Sequence, residues 1–196
     1  MTGLSGFSTE KFAYNVTQYF PTAPVTFEAW IKVPANMPNN TRGGVIFGNY
    51  CQGNTKNIDY ELVENGRLKY GVNRSANSES SVDFSFTFNY DFRTGEWTHL
   101  AVVRNTASNT LSLYVNGVLA QTATDSDYDA DSYSTYRVGF NRANWTTKRP
   151  FQGEIHSVAV YGDVRTSEEV ATDMNAVNVS GNYLYGYWDL SGVQTP

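Results

Sequence analysis

Four aspartates alternate with other residues in one short stretch, and they form the densest group of potential cation ligands in the chain. They are Asp125, Asp127, Asp129 and Asp131. Calcium prefers carboxylate oxygens, and alternate residues of an extended segment share one face, where four carboxylates repel one another unless a cation is present. The run is not an EF-hand loop, because Ala130 stands where the sharp turn requires glycine. The spacing therefore predicts a weak calcium site, and a solvated acidic loop is the alternative.

Two other groups of residues have the chemistry needed to bind a sugar. Aromatic faces contact the C–H surface of a pyranose, and planar polar side chains hydrogen-bond its hydroxyls or hold a carboxylate. The first group lies in one predicted loop and comprises Asn141, Arg142, Asn144 and Trp145. The second lies on and just after a predicted hairpin and comprises Tyr60, Asn73 and Arg74, with Lys69 nearby. For Trp145 and the arginines, a position at the edge or surface of the fold is the alternative.

No arrangement of acids, bases or nucleophiles indicates catalysis. Glycoside hydrolysis requires two carboxylates that face one cleft. Asp59 and Glu61 share a strand face, but they lack a third partner, and we interpret them as solvent-facing polar positions. His99 and His156 are interpreted as ordinary strand residues, because a general base needs positioned partners. The sequence therefore predicts a protein that is not an enzyme.

Strands are predicted along most of the chain, because apolar and polar residues alternate between turns rich in glycine and asparagine. In the clearest segment, Trp97–Arg104 pairs with Thr110–Val115, and Asn116-Gly117 then makes a tight turn into Val118–Thr122. The other predicted strands are Val25–Val33, Gly44–Tyr50, Ile58–Val63, Arg67–Asn73, Val82–Tyr90, Tyr136–Phe140, Phe151–Tyr161 and Tyr183–Leu190. A capping box at Thr166–Glu169 predicts one short helix. So many antiparallel strands must close into a barrel or stack, and two stacked sheets fit best.

Composition limits the classes of partner. The 196 residues suit one all-β domain, and we expect a single domain over residues 1–196. A net charge of −5 excludes the basic footprint that nucleic acid requires. No apolar run is long enough to span a membrane. Cys51 is the only cysteine, so neither a disulfide framework nor a cysteine metal site is expected.

The chain resembles the laminin-G-like members of the concanavalin A-like lectin/glucanase superfamily. The resemblance rests on Phe27–Lys32, Trp97–Val103, Leu113–Gly117, Phe151–Ile155, Val158–Tyr161 and Glu168–Val170. It implies an all-β fold, a two-sheet antiparallel jelly-roll sandwich with one short helix, in which Trp97 fills the space between the sheets. Gly153 would allow a close backbone approach. The superfamily's enzymes carry a Glu-x-Asp-x-x-Glu strand that is missing from this chain.

This resemblance implies a non-catalytic, lectin-like module that binds carbohydrate, is secreted or lies at the cell surface, and forms part of a larger glycan-active or surface protein. A protein-interaction or adhesion domain of laminin-G type is the alternative, and a polysaccharide-active enzyme is a weaker one. Members often hold calcium, but Ile155-His156-Ser157 replaces the usual Ile-Asp-Glu. In related sialic-acid-binding modules two arginines match Arg74 and Arg142, so an acidic sugar is one candidate ligand.

Overall fold

A computed structural model describes residues 1, 3–5, 15–20, 25–48, 57–73, 84–125, 132–139, 149–176 and 183–191. Within this part of the chain, the strands are β1 (Leu4–Ser5), β2 (Asn15–Phe20), β3 (Val25–Lys32), β4 (Gly44–Gly48), β5 (Asn57–Leu62), β6 (Arg67–Asn73), β7 (Phe84–Asp91), β8 (Trp97–Asn105), β9 (Thr110–Val115), β10 (Val118–Thr124), β11 (Ser132–Val138), β12 (Glu154–Tyr161) and β13 (Leu184–Asp189). The α-helix in the described ranges is α1 (Ser167–Asp173). No described helix is long and apolar enough to cross a membrane.

Two antiparallel sheets form the molecule. The seven-stranded sheet has the order β1-β12-β3-β8-β9-β10, and β13 also pairs with β12. The six-stranded sheet has the order β2-β11-β4-β5-β6-β7. This arrangement confirms the predicted all-β, two-sheet antiparallel sandwich of jelly-roll type with one short helix.

Both predicted Asn-Gly turns adopt the left-handed backbone that this pair tolerates. Asn116 and Gly117 have φ angles of 49° and 76°, and Asn65 and Gly66 have φ angles of 61° and 64°. Positive φ at both central positions matches the twist of the flanking strands, which fixes the register of each hairpin. Accordingly, β9 pairs with β10 from Val115–Val118 to Thr110–Thr124, with a register shift between Leu119 and Gln121, and β5 pairs with β6 from Leu62–Leu68 to Asn57–Asn73.

Aromatic rings from the two sheets interlock in the core. The ring of Phe27 on β3 stacks on that of Tyr60 on β5, with the centroids 4.0 Å apart. Phe47 on β4 lies 5.6 Å from Phe27 and 5.3 Å from Tyr136 on β11. Successive residues of a strand point to opposite faces of its sheet, so these aromatic residues face the core and their neighbours in the sequence face outward.

The helix α1 covers part of the outer face of the seven-stranded sheet. Thr166 and Glu169 form the predicted capping box. Val170 is fully buried and packs with Ala101, Val103 and Tyr114 in a second apolar cluster. Because the helix shields this face, residues that alternation assigns to solvent are buried, among them Thr26 and Glu28.

Several details differ from the sequence prediction. The strands β1 and β2 were not predicted, and β11 begins at Ser132, four residues before the predicted start at Tyr136. Trp97 does not fill the space between the sheets: it is paired with Lys32 on the outward-facing row, and its ring contacts that of His156 at 5.8 Å. Gly153 behaves as predicted, since a Cβ there would overlap the carbonyl oxygen of Lys32.

Candidate functional site

The outer face of the six-stranded sheet carries an unusual group of charges on β5 and β6. Tyr60 and Leu62 belong to the core, and so do Leu68 and Tyr70. Strand alternation therefore turns the residues between them, Glu61 and Lys69, to the outer face. These two residues are direct partners in the register of β5 and β6.

Glu61 is the centre of a cluster of three cations. Its side chain is 0% exposed, and its carboxylate lies 3.2 Å from Arg42 Nη1, 3.2 Å from Lys69 Nζ and 2.8 Å from Arg149 Nη1. A buried carboxylate is stable only when charged partners replace its water, and three cations fulfil this role here. We name Arg42, Glu61, Lys69 and Arg149 the charged cluster.

The cations of the charged cluster remain partly open to solvent. Arg42 is 38% exposed, and its Nε also donates to Glu64 at 3.1 Å. Hydrogen bonding to its own backbone and to Arg42 lowers the pKa of Glu64, although partial burial works against this. Glu61 and Glu64 together offset two of the three positive charges, so the cluster presents a net positive charge at neutral pH.

A second row of residues crosses the same face beside the charged cluster. The register aligns Arg137 with Gly48, Gly48 with Asp59, and Asp59 with Gly71. A Cβ at Gly48 would overlap the carboxylate of Asp59, so the glycine makes room for this side chain against the sheet. Asp59 is buried, and Arg137 is half-buried. The earlier interpretation of Asp59 and Glu61 as solvent-facing positions is therefore wrong: both lie on the outer face, but neighbouring groups cover them.

Tyr60 cannot bind a sugar at the surface. It is 3% exposed and stacks on Phe27, and burial raises its pKa well above the ordinary value of 10.0. Its place in the core follows from the same alternation that turns Asp59 and Glu61 outward. Tyr60 is therefore removed from the candidate binding residues.

The remaining residues of the predicted sugar site lie at or beyond the edges of the described ranges. The backbone of Asn73 pairs with Asn57 at the end of β6. The following residues lie outside the described ranges: Arg74, Asn141, Arg142, Asn144 and Trp145. Gly139 and Arg149, which flank the first predicted group, hydrogen-bond to Ile46 and Val45. Val45 is the register partner of Glu61, so both ends of this segment are anchored next to the charged cluster.

Asp125 has a structural partner instead of a place in an open cation loop. Arg104 Nε donates to its Oδ2 at 2.6 Å, and each side chain is 1% exposed. Asp125 is therefore neither the predicted calcium ligand nor part of a solvated acidic loop, because it is buried and Arg104 already pairs with its carboxylate. Asp127, Asp129 and Asp131 lie outside the described residues, and the described residues contain no cluster of three potential metal ligands.

Sequence reasoning missed Arg42 and Arg149 as parts of the site. Both lie outside regular strands, in segments without hydrophobic periodicity, and each is more than 15 positions from Glu61 in the chain. The available signal was Glu61, an acidic residue that stands between the core residues Tyr60 and Leu62 on β5. A carboxylate in such a place needs cations, and these come from distant parts of the chain.

Comparison with known proteins agrees with this architecture. A candidate carbohydrate-binding protein from Bacteroides ovatus ATCC 8483 is 21% identical, with a TM-score of 0.65 over 95% of this chain and 49% of its own. A heptameric SAP-like pentraxin from Limulus polyphemus is 17% identical, with a TM-score of 0.60 over 97% and 91% of the two chains. The CBM40 of Ruminococcus gnavus IT-sialidase, bound to α2,3-sialyllactose, is 19% identical, with a TM-score of 0.57 over 76% and 80%.

These likenesses concern the fold, and the chain spans about half the length of the Bacteroides ovatus protein. No curated protein sequence matches the chain. The laminin-G model of the concanavalin A-like lectin/glucanases superfamily matches residues 8–171, which is most of the chain. The chain therefore belongs to the concanavalin A-like lectin/glucanases superfamily.

Proposed function

We propose that this chain is a non-catalytic carbohydrate-binding module, and that it binds an acidic glycan on the outer face of the six-stranded sheet. The observation that supports this most directly is the charged cluster, in which Glu61 holds Arg42, Lys69 and Arg149 together beside a sheet row containing Gly48 and Gly71. Such a group offers several N–H donors at fixed positions to carboxylate and hydroxyl oxygens.

Preorganisation is the physical advantage of this cluster. A flexible arginine or lysine loses side-chain entropy when it binds a ligand, and this loss weakens affinity. Here the ion pairs to Glu61 already restrict the three side chains. Each guanidinium has five N–H donors, so Arg42 and Arg149 can bind a ligand while they remain paired with Glu61.

The same geometry argues against acid–base catalysis at this face. A general acid or base must exchange a proton with the substrate near neutral pH. Glu61 is fully buried, and its carboxylate oxygens already pair with three cations, so it is not open to a substrate. Its role is to position Arg42, Lys69 and Arg149.

Three relatives in fold support the glycan assignment by analogy. They are the Bacteroides ovatus protein, the CBM40 with its bound sialyllactose, and a domain of a Geobacillus stearothermophilus arabinanase in complex with arabinotriose. On the same analogy, the chain is proposed to be an accessory domain of an extracellular or cell-surface protein with further domains. Arg74, Arg142 and Trp145 remain proposed contacts for the glycan.

Titration with 3′-sialyllactose and with lactose tests the proposal, since the two differ by one acidic sugar. We expect the acidic glycan to bind at least tenfold more tightly, and Arg42→Gln to remove most of this difference. Lys32→Gln is the matched control: Lys32 has the same 38% exposure as Arg42, but it lies on the opposite sheet. Calorimetry or protein-detected NMR gives the affinities.

Three results would overturn the assignment. One is the absence of binding across a panel of neutral and acidic glycans, and a second is equal loss of affinity in Arg42→Gln and Lys32→Gln. The third is release of new reducing ends from a polysaccharide, which would show that the chain is an enzyme and not a binding module. Trp145→Ala and Arg142→Ala test the predicted loop in the same assay, and unchanged affinity would remove these residues from the site.

A protein-interaction domain is the second candidate, and the edge strand β10 favours it. Val118 and Leu119 are 69% and 51% exposed at the start of this strand, whose ladder partner is β9. Exposed apolar residues on a sheet edge are suited to pairing with a strand of another protein. If β10 binds a partner, Val118→Ser with Leu119→Ser abolishes this interaction and leaves glycan affinity unchanged.

A further inference from the structure

A cavity of about 530 Å³ lies on the outer face of the seven-stranded sheet, beside the C-terminal end of α1. Ligand cavities in proteins commonly have volumes of about 300 to 1,000 Å³. Val158 on β12 belongs to the core, so strand alternation turns its neighbours Ser157 and Ala159 outward, into the cavity lining. The cavity therefore lies over β12, on the sheet that does not carry the charged cluster.

Two aromatic residues border the cavity from opposite sides of β12. Trp30 on β3 is aligned with Ser157, and Tyr187 on β13 is aligned with Ala159. Adjacent strands lie about 4.8 Å apart, so the backbones that carry the two aromatic side chains are separated by roughly twice that distance across the sheet. Because Ser157 and Ala159 are small, the cavity has an aromatic residue on each side and short side chains between them.

Hydrogen bonds hold both aromatic side chains in place. The Trp30 indole N–H donates to Met174 O at 3.2 Å, and the Tyr187 hydroxyl is hydrogen-bonded to Ser157. Both residues are half-buried, so part of each side chain stays open to a ligand. A side chain that is already restrained loses little entropy when a ligand binds. Trp30 and Tyr187 are therefore two preorganised apolar surfaces.

The buried acids of the lining are paired inside the fold. Glu28 Oε2 lies 3.4 Å from His99 Nε2. Asp173 accepts a hydrogen bond from Arg165 Nε at 3.0 Å. Both acids are less than a tenth exposed, so neither selects a charged ligand. A ligand meets instead the half-buried aromatic residues and the exposed residues of the lining.

The exposed residues of the lining supply polar groups that suit hydroxyls. They are Met1, Asn175, Asp189 and Ser191. Asp189 Oδ1 accepts from the Ser191 N–H at 2.8 Å, and hydrogen bonds from Ser191 lower the pKa of Asp189, so this carboxylate is ionised at neutral pH. A carboxylate can accept about four hydrogen bonds, and the Asn175 amide offers both an acceptor and donors. A sugar hydroxyl both donates and accepts, so it can bind to either residue.

We propose that this cavity is a second binding site, and that its ligand is an uncharged hexopyranose unit with equatorial hydroxyls, placed between Trp30 and Tyr187. Such a ring exposes C–H groups on both faces, which suits an aromatic residue on each side. Its hydroxyls project from the edge of the ring, where Asp189 accepts hydrogen bonds from them. A β-glucopyranoside has this configuration. The site does not depend on the acidic-glycan function proposed for the opposite sheet.

Methyl β-D-glucopyranoside, methyl β-D-galactopyranoside and indole test the proposal in the unaltered protein. The galactoside has an axial hydroxyl that interrupts one C–H face, and indole has apolar faces but no hydroxyl. We expect the glucoside to shift the NMR signal of the Trp30 indole N–H in a saturable way, and the galactoside to bind at least fivefold more weakly. No saturable shift with the glucoside, or equal binding of the two glycosides, would overturn the proposal. Tighter binding of indole than of the glucoside would also overturn it, because the cavity would then take an apolar group.

Tyr187→Ala and Tyr187→Phe test the aromatic surface. We expect the alanine variant to lose at least fivefold in affinity for the glucoside, and the phenylalanine variant, which keeps the ring, to retain at least half of the parent's affinity. Tyr183→Ala is the matched control, since Tyr183 is 68% exposed just before β13 and lies outside the described cavity lining. Unchanged affinity in Tyr187→Ala, or an equal loss in Tyr183→Ala, would contradict the placement of the sugar.

Asp189→Asn tests the hydroxyl contact, since it keeps the shape of the side chain and removes its charge. We expect at least a threefold loss of glucoside affinity, whereas Glu154→Gln, on the same sheet but outside the described lining, should bind like the parent. Unchanged affinity in Asp189→Asn would contradict this contact. Arg42→Gln should leave glucoside binding intact, and Tyr187→Ala should leave the preference for sialyllactose over lactose intact. This crossed pattern separates a failure of one site from a failure of the other.

Discussion

Arg104 and Asp125 form an ion pair inside the sandwich, with Arg104 Nε 2.6 Å from Asp125 Oδ2. Arg104 is aligned with Val25 on one side and Leu111 on the other, and both of these residues belong to the core. Burial of two charges costs free energy that their attraction barely recovers, so such a pair adds little net stability. Removal of one partner is different, because it leaves an uncompensated charge in the interior.

Asp125→Ala should therefore lower the free energy of unfolding by about 3 to 5 kcal/mol. Urea denaturation measures this loss. The control is Asp91→Ala, since Asp91 also lies 2.6 Å from an arginine, Arg93, but its side chain is 50% exposed. We expect the control to cost about 1 kcal/mol or less. Similar losses in the two variants would show that burial does not determine how much the Arg104–Asp125 pair contributes to the free energy of unfolding.

Calcium binding remains predicted for Asp127, Asp129 and Asp131. If these residues bind calcium as weakly as extracellular modules do, 10 mM calcium should stabilise the parent by about 1.4 to 2.7 kcal/mol. Asp129→Asn should reduce this gain, and magnesium at the same concentration is the control. Thermal unfolding with calcium and with a chelator gives the shift. A melting temperature that calcium does not change would argue against the site.

Glu28 should make stability depend on pH in a direction opposite to that of most carboxylates. Burial raises its pKa above the ordinary value of 4.5, although His99 partly offsets this shift. As pH rises above about 4.5, the unfolded chain loses the Glu28 proton first while the folded protein retains it, so stability falls until the folded group also ionises. Below this window Glu28 is protonated in both states and has no such effect.

Comparison of Glu28→Gln with the parent isolates this contribution, because glutamine cannot ionise. Relative to the parent, the variant should gain stability as pH rises from 4 to 7. Urea denaturation at several pH values measures the difference. A difference between Glu28→Gln and the parent that stays constant with pH would contradict the assignment.

Sequence pattern predicted the fold well where one strand face is apolar and the other is polar. The segments Ile58–Val63 and Arg67–Asn73 show this pattern, and the Asn65-Gly66 turn fixed their register.

The same pattern did not predict the orientation of Trp97, because β8 carries apolar residues on both faces. Ala101 and Val103 face the helix α1 while Leu100 and Val102 face the core, so alternation alone does not identify the inner side.

The residues of the proposed sites were harder to predict than the fold. Glu28 looks like a solvent position in β3, and it is buried because distant elements cover that face. Arg42 and Arg149 join Glu61 only through the tertiary fold. The prediction for Tyr60 was wrong because tyrosine is common both at binding surfaces and in protein cores. Tyr60 and its register partner Tyr70 both lie in the core.

Gly44 links the stability of the fold to the charged cluster. Its φ angle is 84°, and a Cβ there would overlap the backbone of Pro150. The adjacent Val45 N–H donates to Arg149 O at 3.1 Å, and this bond holds Arg149 where its guanidinium reaches Glu61. A side chain at position 44 would push the Arg149–Pro150 segment away from β4.

Gly44→Ala should consequently cost about 2 to 5 kcal/mol of stability, the sum of left-handed backbone strain and steric overlap. Gly95→Ala is the control, since its φ angle is 74° but its nearest neighbour, Ala35 Cβ, lies 3.4 Å from the added atom. Strain alone should cost this variant about 1 to 2 kcal/mol. Urea denaturation compares the two. Sialyllactose titration of the folded proteins should show weaker binding only for Gly44→Ala, because only that substitution displaces Arg149 from Glu61. Equal affinities of the two variants would show that Gly44 does not position the charged cluster.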